Sequence, residues 1–365
     1  IDRELWAYMN EDNVVRTVEN PLDYTWWLEA DEPWQFLAWC YEWYGYLRQG
    51  LGFITHLPCA ADGSCNGLQH LSALNLDERG GKAVNLTPSD SPQDIYTDVA
   101  EETTARLRAD AATGNEFAKM FLKFGIDRKI TKRSVMIVPY SGTLFACKDY
   151  IQDAVKEKLA GEPAPWADNE NEALAYLARQ VWASISTVIT AASSVMDYLK
   201  QVGKVCAKQD KAMEWVTPTG FLVRQAYPNL EKKRIKTHID GSTIKLNYQS
   251  PIDNSISKHR ATNGASPNYI HSLDASALTL TVNKCYDQGI RDFAMVHDSY
   301  GTHSPNMPLL SNLLREAFVE MYTSSDLLED LRTYVFLSTG EDVGPAPSKG
   351  SLDIRKVLES KYFFA

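Results

Sequence analysis

The sequence has no Cys-x-x-Cys pair and no Cys/His spacing of the zinc type; its six cysteines, Cys40, Cys59, Cys65, Cys147, Cys206 and Cys285, are scattered. This excludes a disulfide scaffold or zinc ribbon and fits reduced, mostly buried thiols. No uninterrupted apolar run reaches the roughly 18 residues a membrane span needs. The start, Ile1-Asp2-Arg3-Glu4, lacks the basic and apolar regions of a secretory leader. No membrane partner is therefore expected, and the expected compartment is the cytoplasm. Internal repeats and low-complexity tracts are missing as well. So is an excess of positive charge: the net charge is −10, which argues against a protein that coats nucleic acid with its whole surface. Ile1 is not a start methionine, so the chain is expected to be processed or a piece of something longer.

What is present is enough apolar content, 44% of 365 residues, to bury a large core in two or three domain-sized pieces. Basic charge is concentrated locally. Lys119, Lys123, Arg128, Lys129, Lys132 and Arg133 face one internal acid, Asp127, and Lys232 to Lys245 forms a second patch. The pattern is mainly helical. A short helix is expected over residues 1–20, then an aromatic-rich helix from Trp34 to Arg48, apolar on every side and hence expected to be buried. Ile54 to Ala61 reads as a strand and Gly67 to Ala73 as a helix. Ser91-Pro92 opens a helix to Ala111 with Asp94 in the capping-box position. Helices are further expected over Phe117 to Tyr140, Leu144 to Leu159, Asn171 to Val202, Ser266 to Asp287 and Leu309 to Tyr322. Between Glu214 and Tyr248 the period changes to two, and Asp240-Gly241 marks a basic β-hairpin.

Two carboxylates stand out. Asp62 follows an apolar run in Cys59-Ala-Ala-Asp-Gly-Ser-Cys-Asn-Gly-Leu-Gln-His70, and Asp298 follows Phe293-Ala-Met-Val296 in His297-Asp298-Ser299. Singly, each is compatible with an ordinary turn. Together, at the ends of buried strands and flanked by small residues, they fit a shared Mg²⁺ site, since Mg²⁺ takes one or two carboxylates with water and substrate phosphates. Gly63 would let a backbone carbonyl approach the metal. Arg128, Lys132, Met136 and Tyr140 recur at four-residue steps and form one stripe of a helix. Two cations, an apolar side chain and a phenol suit a nucleoside triphosphate laid along it, with phosphates at the cations, the base at Met136 and the sugar at Tyr140. A solvated basic face is the alternative that the spacing leaves open.

The Asp62-to-His70 block, Thr131-Lys-Arg-Ser-Val-Met136 with Tyr140, Pro267-Asn-Tyr-Ile-His-Ser272 and His297-Asp-Ser299 occur in an order that resembles the single-subunit, phage-type DNA-directed RNA polymerases. The resemblance runs over essentially the whole chain, to the Phe-Ala terminus. It implies an α+β, mainly helical right hand: palm from residues 1–78 and 272–365, the latter with a C-terminal extension, and fingers from 79–271. It also implies two-metal transfer of ribonucleotides onto an RNA 3′ end. Asp62 and Asp298 would then bind two Mg²⁺ ions beside the Gly63 carbonyl. Arg128 and Lys132 would hold the triphosphate, with Tyr96 near the nucleotide. Tyr140 and His271 would read the 2′-hydroxyl, and His297 would sit near the primer end. The hairpin 231–250 occupies the place of the family's promoter-specificity loop, with Lys236, His238, Lys245 and Asn247 expected near DNA bases.

Two departures matter. Ser141 stands where the family usually has Gly, and Pro139 bends the helix end just before Tyr140. The resemblance also begins partway into the palm, without the thumb, the promoter-binding amino-terminal domain or an early palm motif with a nucleotide-site arginine. The implied partners are a DNA template, an RNA transcript, ribonucleoside triphosphates and a second chain supplying thumb and amino-terminal parts. The implied setting is the cytoplasm of a phage-infected host, ahead of a mitochondrial or plasmid origin. A family-A-like DNA polymerase fragment and a non-catalytic DNA-binding or assembly subunit are the rival readings. The Gly-Ser-Cys-Asn-Gly continuation after Asp62 speaks against the first, and the intact acids with Lys132 and Tyr140 speak against the second.

Overall fold

The structure, a computed structural model, describes residues 3–364; Ile1 and Asp2 of the expected first helix and the terminal Ala365 lie outside the described residues. It is a mainly helical α+β protein. The chain opens with α1 (Arg3–Met9), α2 (Glu11–Glu19) and α3 (Pro33–Gln49), whose contacts form a small cluster of Ala7, Val14, Trp27, Phe36 and Cys40 apart from the main core. Strand β1 (Cys59–Asp62) then leads into α4 (Asn66–Asn75), α5 (Glu78–Ala83), α6 (Ile95–Ala112), α7 (Glu116–Phe124), α8 (Arg128–Met136), a 3₁₀ turn at Val138–Tyr140, α9 (Leu144–Leu159), α10 (Glu170–Val188) and α11 (Thr190–Lys208). Two hairpins follow, β2 (Met213–Val216) with β3 (Leu222–Gln225) and β4 (Pro228–Ile239) with β5 (Ser242–Ile256). Helix α12 (Lys258–Asp287), β6 (Ala294–Val296), β7 (Ser299–Thr302), α13 (Met307–Thr323) and α14 (Leu327–Thr339) complete the order.

One sheet positions the site. Its order is β1-β7-β6, all antiparallel, so a strand from the first quarter of the chain lies against the hairpin that carries Asp298. The main core lies behind it, where α11 crosses α12. A Cβ on Gly203 would meet the Ala261 carbonyl oxygen at 2.8 Å, so these helices touch backbone to backbone. Buried Leu71, Leu199, Ile270 and Phe318 join α4, α11, α12 and α13 in this core.

Several expectations are corrected. The strand expected at Ile54–Ala61 is only Cys59–Asp62, and neither acid follows a buried strand: β1 is largely exposed and Val296 is 66% exposed. Burial in this sheet falls on β7, where Tyr300, Gly301 and Thr302 are buried. The aromatic helix is not enclosed; Phe36 and Cys40 are buried, but Trp34 is 75% exposed and Tyr41 and Tyr46 face outward, because among the described residues α1, α2 and the short turns at Trp26–Glu29 and Gly50–Gly52 pack on it and leave the rest of its surface open. The helix expected over 171–202 breaks at Ile189. The β-branched run Ile185, Thr187, Val188, Ile189, Thr190 crowds the preceding turn, and Thr187 and Thr190 donate back to the carbonyls of Ala183 and Ser186 (both 3.1 Å), a bond that bends helices. The stretch 117–140 is likewise divided, at Gly125 (φ +80°), and Pro267 sits inside α12, which starts at the Ser257 cap instead. Asp94 is itself the N-cap of α6. Helix α14 was not anticipated.

All six cysteines are free, five of them buried and Cys59 exposed. Among the described residues no helix is long and apolar enough to cross a membrane.

A titratable group deep in the core makes stability pH-dependent. His70 is fully buried, its Nδ1 lies 2.6 Å from the Tyr322 hydroxyl, and burial pushes its pKa from the usual 6.5 down to about 3. Between those values the unfolded chain binds a proton that the folded chain does not. Stability is therefore fully present above pH 6.5 and falls on acidification, by up to ~1.4 kcal/mol per pH unit. Urea midpoints at several pH values will show this slope, and His70→Gln will flatten it; an equal slope in the variant would assign the effect to other groups.

Candidate active site

Residues 59–62 pair with 299–302 in register, Asp62 opposite Ser299, and the Gly63 amide donates to the Asp298 carbonyl at 3.1 Å. The two carboxylate-bearing turns are thus tied edge to edge. Burial raises the Asp298 carboxyl above the usual carboxylate range, and the neighbouring Asp62 charge pushes the same way. His297, the first loop residue between β6 and β7, has φ +52°, a left-handed conformation usually left to Gly in such two-residue turns. The turn holds that strain while placing Asp298 beside β1.

The loop after Asp62 rests on the end of the chain. Ser64 Oγ donates to the Tyr362 carbonyl (2.7 Å), Gly63 bridges to Phe364, and Gln69 Nε2 donates to the carbonyls of Val84 and Phe363. Gly63 is needed for packing as well as access, since a Cβ there would lie 3.0 Å from Gln69 Oε1 and 3.3 Å from Phe364.

Helix α8 forms the opposite wall. Asp127 caps it, accepting from the amides of Lys129 (3.0 Å) and Ile130 (3.3 Å), and Lys158 holds that carboxylate at 2.7 Å. Ile130 and Val135 bury inward, and Thr131 Oγ1 donates to the Tyr96 carbonyl (2.7 Å), fixing α8 on α6. The outward stripe is Arg128, Lys132, Met136 and Tyr140. All four line one cleft of about 380 Å³ together with Asp62, Gly63, Tyr96 and Asp298. Arg133 is turned away and paired with Glu157 on α9 (3.1 Å).

Tyr140 stacks on His271 of α12, with ring centroids 4.6 Å apart and 17° between planes. Burial raises the Tyr140 phenol, and burial followed by the charge of His297 lowers the His271 imidazole, so both rings are held neutral near pH 7. Pro139 does end the helix, and Ser141 takes φ +61°, a conformation a Gly would adopt more easily. His271 and His297 stand outside the residues that line the cleft. Tyr96 is buried in its floor near the Cys65 thiol, whose pKa burial raises to about 11.

Three contributors were not read from the sequence. Asp274, one turn beyond His271, is buried and accepts from Asn66 Nδ2 at 2.8 Å, joining α12 to the start of α4; burial raises its carboxyl. Its place in His271-Ser-Leu-Asp274, at helical spacing from a candidate residue, was the available signal. Gly67 is the second: a Cβ there would lie 2.8 Å from Pro139 Cβ and 3.0 Å from the Tyr140 hydroxyl. The third is the Tyr362–Phe364 floor, signalled only by a terminal run of rings.

The donor set fits Mg²⁺: two carboxylates and a nearby backbone carbonyl are hard oxygens, too few to enclose an ion and therefore open to water and phosphate. Among the described residues no group of three or more His, Cys, Asp or Glu is arranged to hold a metal.

A family profile described as DNA-dependent RNA polymerase matches residues 1–343. The chain belongs to that phage-type polymerase family. It is 35% identical to T7 RNA polymerase of Escherichia phage T7 over 98% of its length, which is 45% of that protein. It is 34% identical to the mitochondrial DNA-directed RNA polymerase of Homo sapiens over all of its length, 30% of that protein, and 35% identical to a mitochondrial polymerase of Nicotiana tabacum. The chain thus spans less than half the length of these relatives.

The β4–β5 hairpin stands apart from the cleft. Asp240 and Gly241 both take positive φ (+50° and +77°), the two-residue turn that Asp-Gly favours. Register places Arg234, Lys236 and His238 opposite Asn247, Lys245 and Thr243 on one face, and Ile235 opposite Leu246 on the other. Both faces are exposed. Asn247 already accepts from Arg234 Nε (3.1 Å), so Arg234 joins the basic face and Asn247 is partly engaged within it.

The close approach at Gly67 yields a test. Gly67→Ala must displace Pro139 or Tyr140, at a cost of about 1–3 kcal/mol, and opens the stack on His271. The His271 imidazole, followed by NMR titration, will then move up toward the usual 6.5. An unchanged titration would show that Gly67 does not set the stack.

Proposed function

We propose that this chain is the catalytic portion of a DNA-directed RNA polymerase, transferring ribonucleoside monophosphates from triphosphates onto an RNA 3′ end along a DNA template. The observation that carries the reading is the cleft in which Asp62 and Asp298, tied edge to edge, face the Arg128–Lys132–Met136–Tyr140 stripe. In this reading residues 1–78 and 272–365 are palm and 79–271 fingers, which agrees with the sheet that joins β1 to β6 and β7.

Arg128 and Lys132 bind the triphosphate, with the base against Met136. The neutral Tyr140–His271 stack meets the ribose, where a 2′-hydroxyl can be told from hydrogen. Asp62 and Asp298, with the Gly63 carbonyl, are the residues that would hold two Mg²⁺ ions, which when bound supply charge neutralisation at the reacting phosphate. His297 lies at the primer end, where its strained backbone orients the Asp298 turn. The RNA 3′-hydroxyl attacks the α-phosphate, the α–β phosphoanhydride bond breaks, and pyrophosphate leaves; no covalent bond to the chain forms. The basic face of the hairpin, Arg234, Lys236, His238 and Lys245 with Asn247, reads promoter bases. A second polypeptide supplies the thumb and amino-terminal parts, and the reaction takes place in the cytoplasm of a phage-infected host.

Primer extension by the chain with that polypeptide, on an RNA–DNA hybrid, tests the reading. Asp62→Asn and Asp298→Asn should each lower extension by about a thousandfold or more, the scale of losing a preorganised electrostatic partner, with the fold intact by circular dichroism. Ribonucleotides should outcompete deoxyribonucleotides on one template. Substantial extension by either variant would overturn the assignment of the acids. Replacing Lys236 and Arg234 should change promoter choice without slowing primed extension; unchanged choice would remove the hairpin from promoter readout.

A further inference from the structure

The guanidinium of Arg128 is held before any ligand arrives. Its Nε donates to Asp94 Oδ2 at 2.7 Å, and its Cζ lies 5.0 Å above the Tyr96 ring. Asp94 is itself fixed: Thr97 Oγ1 donates to the same Oδ2 (2.6 Å), and the Tyr96 amide caps on Oδ1 (3.3 Å). Among the described residues the two Nη groups of Arg128 make no hydrogen bond. An arginine carries five donors in a rigid fork and about 2 kcal/mol of side-chain rotamer entropy. Here one edge of the fork is taken and one face is supported, while the Nη edge is left for a ligand in the cleft that Arg128 lines.

We propose that Asp94 is a positioning residue for triphosphate binding: it grips the Nε edge of Arg128 so that both Nη groups are presented, pre-ordered, to the phosphates. The proposal rests on the reading that Arg128 binds the triphosphate. The opposite sign, in which Asp94 competes with phosphate, would require the carboxylate to occupy the Nη edge, and it occupies Nε alone. Pre-ordering lowers the entropy lost on binding, and for a half-exposed pair the gain is modest, about three- to tenfold in affinity.

The test is equilibrium binding of Mg-ATP, with AMP as the probe lacking the terminal phosphates, to the full chain. The variants are Asp94→Asn, Arg128→Gln and the double substitution. Asn caps a helix as well as Asp, but its amide cannot both cap through oxygen and accept from Nε; Asp94→Ser, also a capping residue, serves as the second variant. Asp94→Asn and Asp94→Ser should weaken Mg-ATP about three- to tenfold, leave AMP unchanged, and add no loss in the Arg128→Gln background. If Arg128→Gln leaves Mg-ATP binding unchanged, the reading of Arg128 itself fails. If Arg128→Gln weakens binding but the Asp94 variants bind as well or better, the positioning role is overturned. It is also overturned if they weaken AMP equally or act independently of Arg128, which would mark a purely structural cap.

Discussion

The antiparallel pairing of β1 with β7 is the constraint on which the rest depends. It brings residues from opposite ends of the chain within one hydrogen bond, Gly63 N–H to the Asp298 carbonyl, and so puts two carboxylates on neighbouring turns. This is costly: like charges approach, Asp298 is pushed toward its neutral form, and His297 is held left-handed. Folding tolerates the cost because β7 is anchored by buried Tyr300 and Thr302, and because the carboxyl-terminal residues 362–364 buttress the Asp62 loop from behind. A cation between the acids would relieve the repulsion that the fold creates.

Everything opposite the acids is fixed to the same frame. Helix α8 is capped by Asp127, bonded to α6 through Thr131 and abutted at its end by Gly67 of α4, the helix that begins just beyond Asp62. Asn66, at the start of that helix, reaches Asp274 on α12, which also carries His271. The acids, the cationic stripe and the Tyr140–His271 stack therefore share a small number of short, buried links. Gly67, which lines the cleft, abuts Tyr140, and Asp94, which does not line it, holds Arg128, so each is linked to a residue of the stripe.

Much of this was legible in the sequence where the information is local. The four-residue spacing of Arg128, Lys132, Met136 and Tyr140 put them on one stripe, Asp240-Gly241 set the hairpin register, and Leu144–Leu159 has the bounds its pattern indicated. The Asp62 and Asp298 blocks were visible as motifs and their chemistry pointed to one shared site, but the β1–β7 register that joins them was not, because pairing across so many residues leaves no periodic trace. For the same reason Asp274 and Gly67 went unread: each matters through a partner far along the chain. The aromatic helix misled for a tertiary reason. Trp34, Tyr41 and Tyr46 have core composition but lie on faces of α3 that the small cluster with α1 and α2 leaves exposed. The break at Ile189 reflects competition between helix propensity and hydroxyl back-bonding, which a run of apolar and small residues conceals.

If Asp62 and Asp298 form one cation site, a metal bound there lies within reach of both turns. Replacing Mg²⁺ by Fe²⁺ and generating hydroxyl radicals at the bound ion cuts the backbone where the metal sits. The account predicts cleavage at two places at once, beside Asp62-Gly63 and beside His297-Asp298, both suppressed by excess Mg²⁺. Cleavage at only one of them, or cleavage that Mg²⁺ does not compete away, would contradict it.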